Sequence, residues 1–164
     1  VLTFLIENRW VTTLLLGVAL VVSPLVGVWL TPRPRLAWAA TFAACAGVLA
    51  FVLTPFEREL FAVCSFEWSL ITLGKVELVA NLLLFVPVGL FGSVASRRPV
   101  GAVVAASAFS ILIEMLQALV PALGRSCSTS DWFYNTLGAL AGGLVAAGSL
   151  RLAERSGPGQ ASGT

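Results

Sequence analysis

Apolar residues along this chain come in five long runs, Trp10 to Leu30, Leu36 to Phe56, Val76 to Ser96, Val100 to Leu119 and Trp132 to Leu152, separated by brief polar interruptions. Crossing the hydrocarbon core of a bilayer takes about 20 such residues as a helix. Lipid offers no partner to an open backbone group, so the runs must be helical. The pattern predicts an all-α, polytopic transmembrane helical bundle of five spans with no soluble domain. Residues 1–75 would form two helices and an outer loop, residues 76–152 a core of three helices, and residues 153–164 a tail. That tail, ending ERSGPGQASGT, has no aliphatic run whose burial would offset its ordering entropy, so disorder is expected there. The first run reads as a retained helix rather than a cleaved signal peptide, because Glu7 sits in its leading flank and no A-x-A-like site follows.

Polar positions inside the runs are not scattered. Residues three and four apart share a helix face, and Ser107, Ser110, Glu114 and Gln117 of the fourth run follow steps of three, four and three. In the fifth, Asp131 and Asn135 lead into Gly138 and Gly142, a groove that admits a close neighbour. In the third, Glu77, Asn81, Phe85, Val88 and Gly92 fall along one line. With about 1.5 Å of rise per residue and alternating directions, the polar groups of all three helices reach one level near the same membrane face, with Arg125 above them. Acids inside membrane helices are costly and are usually functional. The plainer alternative is that they satisfy one another, Arg125 neutralising Glu114 or Asp131 while the amides bond across helices. Pro87 withholds an N–H from the carbonyl of Leu83 and should kink the third helix, and Gly89 and Gly92 would let a neighbour approach. Ser128 and Asp131 have the spacing of a capping box, which gives Asp131 a helix-starting role to set beside a ligand role.

Composition agrees: 58% of the 164 residues are hydrophobic, 11% are charged and the mean hydropathy is +0.95. A net charge of +2, evenly spread, gives no basis for a nucleic acid partner. There is no histidine, no G-x-S-x-G, no Walker-type loop and no acid cluster suited to a divalent ion, so neither metal nor cofactor is predicted. Arg33, Arg35, Arg97, Arg98, Arg151 and Arg155 lie on one side of the expected bundle, against Arg9, Arg58, Lys75 and Arg125 on the other. Basic residues resist translocation, so the first set is expected in the cytoplasm, which puts the N-terminus outside and the C-terminus inside. The connection with Glu57, Glu59, Phe61, Phe66, Glu67 and Trp68 then lies outside, where acids and aromatics suit the headgroup region. Cys64 and Cys127 share that face and Cys45 does not. Whether the two bond depends on Cα atoms coming within about 7 Å.

Asn81, Phe85, Pro87 and Gly89, then Glu114 and Gln117, then Arg125, Asp131, Asn135 and Gly138 resemble, in order and spacing, the signature of the VanZ-like membrane proteins. The likeness runs from about Asn81 to Gly142. Ser128 stands where other members sometimes carry an acid. The resemblance implies a role at the cell envelope, with membrane lipids as partners and a link to resistance against the glycopeptide teicoplanin. Two functions stay open. In one, Asn81, Glu114, Gln117, Arg125, Asp131 and Asn135 bind a lipid-linked wall precursor or a glycopeptide, with Pro87, Gly89, Gly138 and Gly142 shaping the site. In the other, Glu114 or Asp131 acts as general base on an envelope lipid and Arg125 stabilises developing charge. A transporter would ordinarily show inverted repeats, and none is visible.

Overall fold

A computed structural model describes residues 9–54, 64–65 and 76–155. Five helices make up almost all of this: α1 (Arg9–Leu30), α2 (Pro34–Leu53), α3 (Val76–Ser96), α4 (Pro99–Leu119) and α5 (Thr129–Arg155). A single 3-10 turn, Pro121–Leu123, follows α4, and two short strands, β1 (Cys64–Ser65) and β2 (Cys127–Ser128), pair in parallel. Helices α2 to α5 are each long and apolar enough to cross a membrane, and α1 adds the apolar stretch Gly17–Leu30. The architecture is an all-α bundle of membrane-type helices.

The expected boundaries shift by a few residues for local reasons. Helix α2 begins at Pro34, since proline at the first helical position loses no hydrogen bond. It ends at Leu53, where Thr54 turns extended and its hydroxyl bonds back to the Ala50 carbonyl at 2.7 Å. Helix α5 is longer than its apolar run at both ends, so Ala153, Glu154 and Arg155, expected in the tail, form its last turn. The expectations for the rest of the tail, and for Glu57, Glu59, Phe61, Phe66, Glu67 and Trp68, lie outside the described residues. Helix α3 continues through Pro87 to Ser96.

The centre of the bundle is the pair α3 and α5, the most extensive helix contact among the described residues, with α1, α2 and α4 packed around it. Glycine makes this pairing so close. A Cβ at Gly138 would collide with the carbonyl of Leu82, one at Gly142 with the carbonyl of Val86, and one at Gly89 with the carbonyl of Ala139. The first two contacts advance by four residues on both helices, so α3 and α5 run in the same direction. Gly92, also expected to admit a neighbour, has only ordinary contacts around the place a Cβ would take, 3.6 Å from the Ala102 side chain.

A cluster of Val48, Val52, Phe85, Val88, Ala106, Ile113 and Ala139 joins α2, α3, α4 and α5. Phe85 is fully buried in it, 6.1 Å from the ring of Phe109. Large apolar side chains face outward instead: on α4 these include Val104, Leu112, Met115 and Leu119. A water-facing surface would not carry that face on one side and Ser110 and Gln117 buried on the other, whereas lipid favours it.

Candidate functional site

The polar stripe of α4 turns inward, toward the start of α5. The Ser107 hydroxyl accepts a hydrogen bond from Trp132 Nε1 at 3.1 Å and shares another with the Thr136 hydroxyl at 2.9 Å. Ser110 Oγ accepts from Asn135 Nδ2 at 2.9 Å. Glu114 Oε2 accepts from the backbone N–H of Ser128 at 2.7 Å. From Ser107 to Glu114 the partners pass from Thr136 and Asn135 back to Ser128, just before α5, so these two helices are antiparallel and the stripe becomes a column between them. Gln117 continues it by one turn toward Arg125. From Ser110 to Gln117 the column is about 10 Å long at 1.5 Å per residue.

Helix α3 closes the column from the side. The contacts of Gly138 with Leu82 and of Gly89 with Ala139 bring the turn that carries Asn81 alongside the turn of α5 that carries Asn135. Asn81 is half-buried there. The side chain of Glu77 lies outside the described residues. The polar residues expected at one level therefore spread along the column, with Arg125 above them as expected. Asn81 and Asn135 lie deepest, Glu114 is about a turn higher, and Gln117 and Arg125 lie nearest the end of the bundle.

Asp131 occupies the first turn of α5. With Ser128 just before the helix, the positions match those of a capping box, in which the later acid accepts the N–H of the capping residue. Here Glu114 of α4 accepts that N–H. The carboxylate also benefits from the positive end of a 27-residue helix. Glu114 and Asp131 are close enough to interact electrostatically, and so are Asp131 and Arg125.

Arg125 keeps Asp131 as an electrostatic neighbour, as expected, and gains a partner on α2 that the sequence does not suggest. Gly124, at φ 63, takes the left-handed conformation that glycine adopts freely, and the next residue sends its side chain to the end of α2. Arg125 Nη2 donates to the Phe51 carbonyl at 3.3 Å, and the guanidinium lies 4.9 Å from the centre of the Phe51 ring. The C-terminal end of α2 is where a helix attracts a cation. Burial draws the guanidinium pKa below its ordinary value while Asp131 pulls it back up, and arginine remains a cation at neutral pH.

A disulfide between Cys64 and Cys127 fixes the chain that leads into the site. Their Cα atoms are 4.5 Å apart and directly opposed in the β1 and β2 pairing. The residue after Cys127 is Ser128, whose N–H holds Glu114. The crosslink, left open by the sequence, thus ties residues before α3 to the backbone donor of the column.

Among the described residues, four buried side-chain polar atoms lack a hydrogen-bond partner: Ser93 Oγ, Gln117 Oε1, Arg125 Nε and Asn135 Oδ1. Three of the four belong to this column and its arginine. Sequence reasoning did not find Trp132, Thr136 or the Ser128 N–H. The first two could have been read from their spacing on the Asp131 side of α5, but a backbone donor leaves no residue signature.

No curated protein and no solved structure matches the chain. The VanZ/LLP1 family model matches residues 10–151, so the likeness extends beyond the motif-bearing core to all five helices, and the chain belongs to the VanZ/LLP1 family.

Proposed function

We propose that this membrane protein binds an anionic amphiphile through the column between α4 and α5, in the outer leaflet, and acts at the cell envelope by holding that molecule. The observation that carries this reading is the concentration of unpartnered buried groups at Gln117, Asn135 and Arg125. Native proteins leave few such groups, and each calls for an explanation. A ligand that supplies the missing partners is one. Arg125 suits its phosphate or carboxylate, because the planar guanidinium donates in parallel pairs. Asn81 and the orphan amides meet its neutral polar atoms. A lipid-linked wall precursor and a glycopeptide such as teicoplanin both have this mixed character, so the site is compatible with a role in glycopeptide resistance.

The orientation rests on two supports. The basic bias places the ends of α1, α3 and α5 in the cytoplasm, and a Cys64 to Cys127 disulfide belongs to an oxidising compartment on the opposite side. Both favour an N-terminus outside, a C-terminus in the cytoplasm and a column at the outer surface.

A second reading is favoured by the nearness of Glu114 and Asp131, two carboxylates coupled at one helix start. Such a pair, with Arg125, suits general acid and base work on an envelope lipid. One assay separates the readings: purified protein is incubated with labelled lipid-linked precursor or with drug, and both bound label and converted product are scored. Saturable binding with no product supports the binding function. Turnover abolished by Glu114→Gln supports the enzyme.

A further inference from the structure

The unpartnered atoms have a polarity, and they have a sequence along the column. Nearest the end of the bundle is a donor, Arg125 Nε; farther in are two acceptors, Gln117 Oε1 and Asn135 Oδ1. Gln117 is only 7% exposed and Asn135 only 4%. Between them Glu114, another acceptor, is already engaged by Ser128. We infer that the headgroup taken by this site is a phosphoester carrying a slender hydroxylated arm, with the phosphate at Arg125 and its hydroxyl groups donating to Gln117 and Asn135. This rests on the binding function proposed above and names its ligand class.

Three features of the column select that chemistry. A bare phosphate has acceptors for Arg125 but leaves both amide oxygens without donors. Its size is also wrong, since the acceptors extend over about 10 Å of helix at 1.5 Å per residue. A broad, rigid ring system could meet only the outer part of the column, at Arg125 and Gln117, because Asn135 is buried deeper and bonds Ser110 directly across the helix interface. A chain of hydroxymethyl groups or a single polyol ring supplies donors in a narrow form. Sites built to hydrogen-bond a hydroxyl reject analogues that lack it far more strongly than apolar pockets reject a missing methylene.

The test uses the full chain in lipid nanodiscs and compares phosphatidic acid, phosphatidylglycerol and phosphatidylinositol of identical acyl chains, with retained lipid counted by native mass spectrometry. Glycerol 3-phosphate, inositol 1-phosphate and inorganic phosphate serve as soluble competitors. The two hydroxylated lipids should be retained at least about 10-fold over phosphatidic acid. That preference should vanish in Asn135→Leu and in Gln117→Met, which keeps side-chain length if the first variant does not fold. Arg125→Met should weaken all three lipids together. Competition by the hydroxylated soluble phosphates but not by inorganic phosphate supports the same chemistry and assigns it to a soluble phosphoester. Equal retention of all three lipids with the Arg125 dependence intact overturns the hydroxyl assignment and leaves the binding function standing. Retention insensitive to Arg125, or absent, overturns both.

Discussion

Glu114 of α4 takes the backbone N–H of Ser128 at 2.7 Å, a donor that the S-x-x-D spacing would assign to Asp131. One hydrogen bond therefore joins the polar stripe of α4, the start of α5 and, through the neighbouring Cys127, the disulfide. A hydrogen bond contributes about 1 kcal/mol net, and a buried donor left without a partner costs more. Glu114→Gln keeps an acceptor at this place and should lower stability by at most about 1 kcal/mol. Glu114→Leu strands the N–H and should cost about 1–3 kcal/mol. Thermal unfolding of the two variants in one detergent checks the order.

The cysteines give a countable outcome. With Cys64 and Cys127 paired and Cys45 free, denatured but unreduced protein should take up one maleimide per chain and reduced protein three. Three labels before reduction would remove the crosslink. Replacing Cys64 and Cys127 together with serine should cost about 2–4 kcal/mol, the usual range for a lost disulfide.

Close packing of α3 on α5 makes the glycines unequal. Gly142→Ala and Gly138→Ala drive a methyl into backbone carbonyls, and overpacking of that kind costs about 1–3 kcal/mol or more. Gly47→Ala and Gly148→Ala enter open space and should leave stability unchanged or slightly raised. Ranking the four by unfolding temperature tests whether the α3 and α5 contact is the centre of the bundle.

Much of this was legible in the sequence, and the limits have physical causes. Apolar run length locates helices because the bilayer fixes how many residues it takes, and helical periodicity alone puts Ser107, Ser110, Glu114 and Gln117 on one face. The close approach at Gly138 and Gly142 follows from the same arithmetic. The nearness of Arg125 and Asp131 is legible because charge is visible in a sequence. The carbonyl and ring of Phe51 at the end of α2 are not visible as a cation site until α2 is in place. Likewise, the Cys64 and Cys127 distance depends on how β1 lies beside β2, for which two-residue strands carry no pattern. Helix α5 starts three residues before its apolar run, which sets Asn135 deeper and spreads the expected level into a column.

Those separate contacts change what a double substitution should do. A direct ion pair would make Glu114→Gln with Arg125→Met partly self-compensating, since no unpaired charge remains. Glu114 is held by Ser128 and Arg125 by Phe51, and the two share only the electrostatic influence of Asp131, so the double substitution should recover far less of its cost than a direct ion pair would, with a coupling of about 0.5 kcal/mol. Phe51→Leu should reproduce part of the Arg125→Met cost by removing the ring, about 0.5–2 kcal/mol. A double-mutant cycle read by unfolding distinguishes the cases.

Photolabelling tests most directly whether the column holds an anionic amphiphile. Purified, monodisperse protein is irradiated with a photoreactive phosphatidylglycerol whose crosslinking group is in the headgroup, and labelled peptides are mapped. Labels should concentrate on the segment from Glu114 to Asn135 and fall away in Arg125→Met without loss of monodispersity. Labels spread over the outward faces of α4 and α5, near Val104, Leu112 and Leu144, and unchanged by Arg125→Met, would contradict a site between these helices.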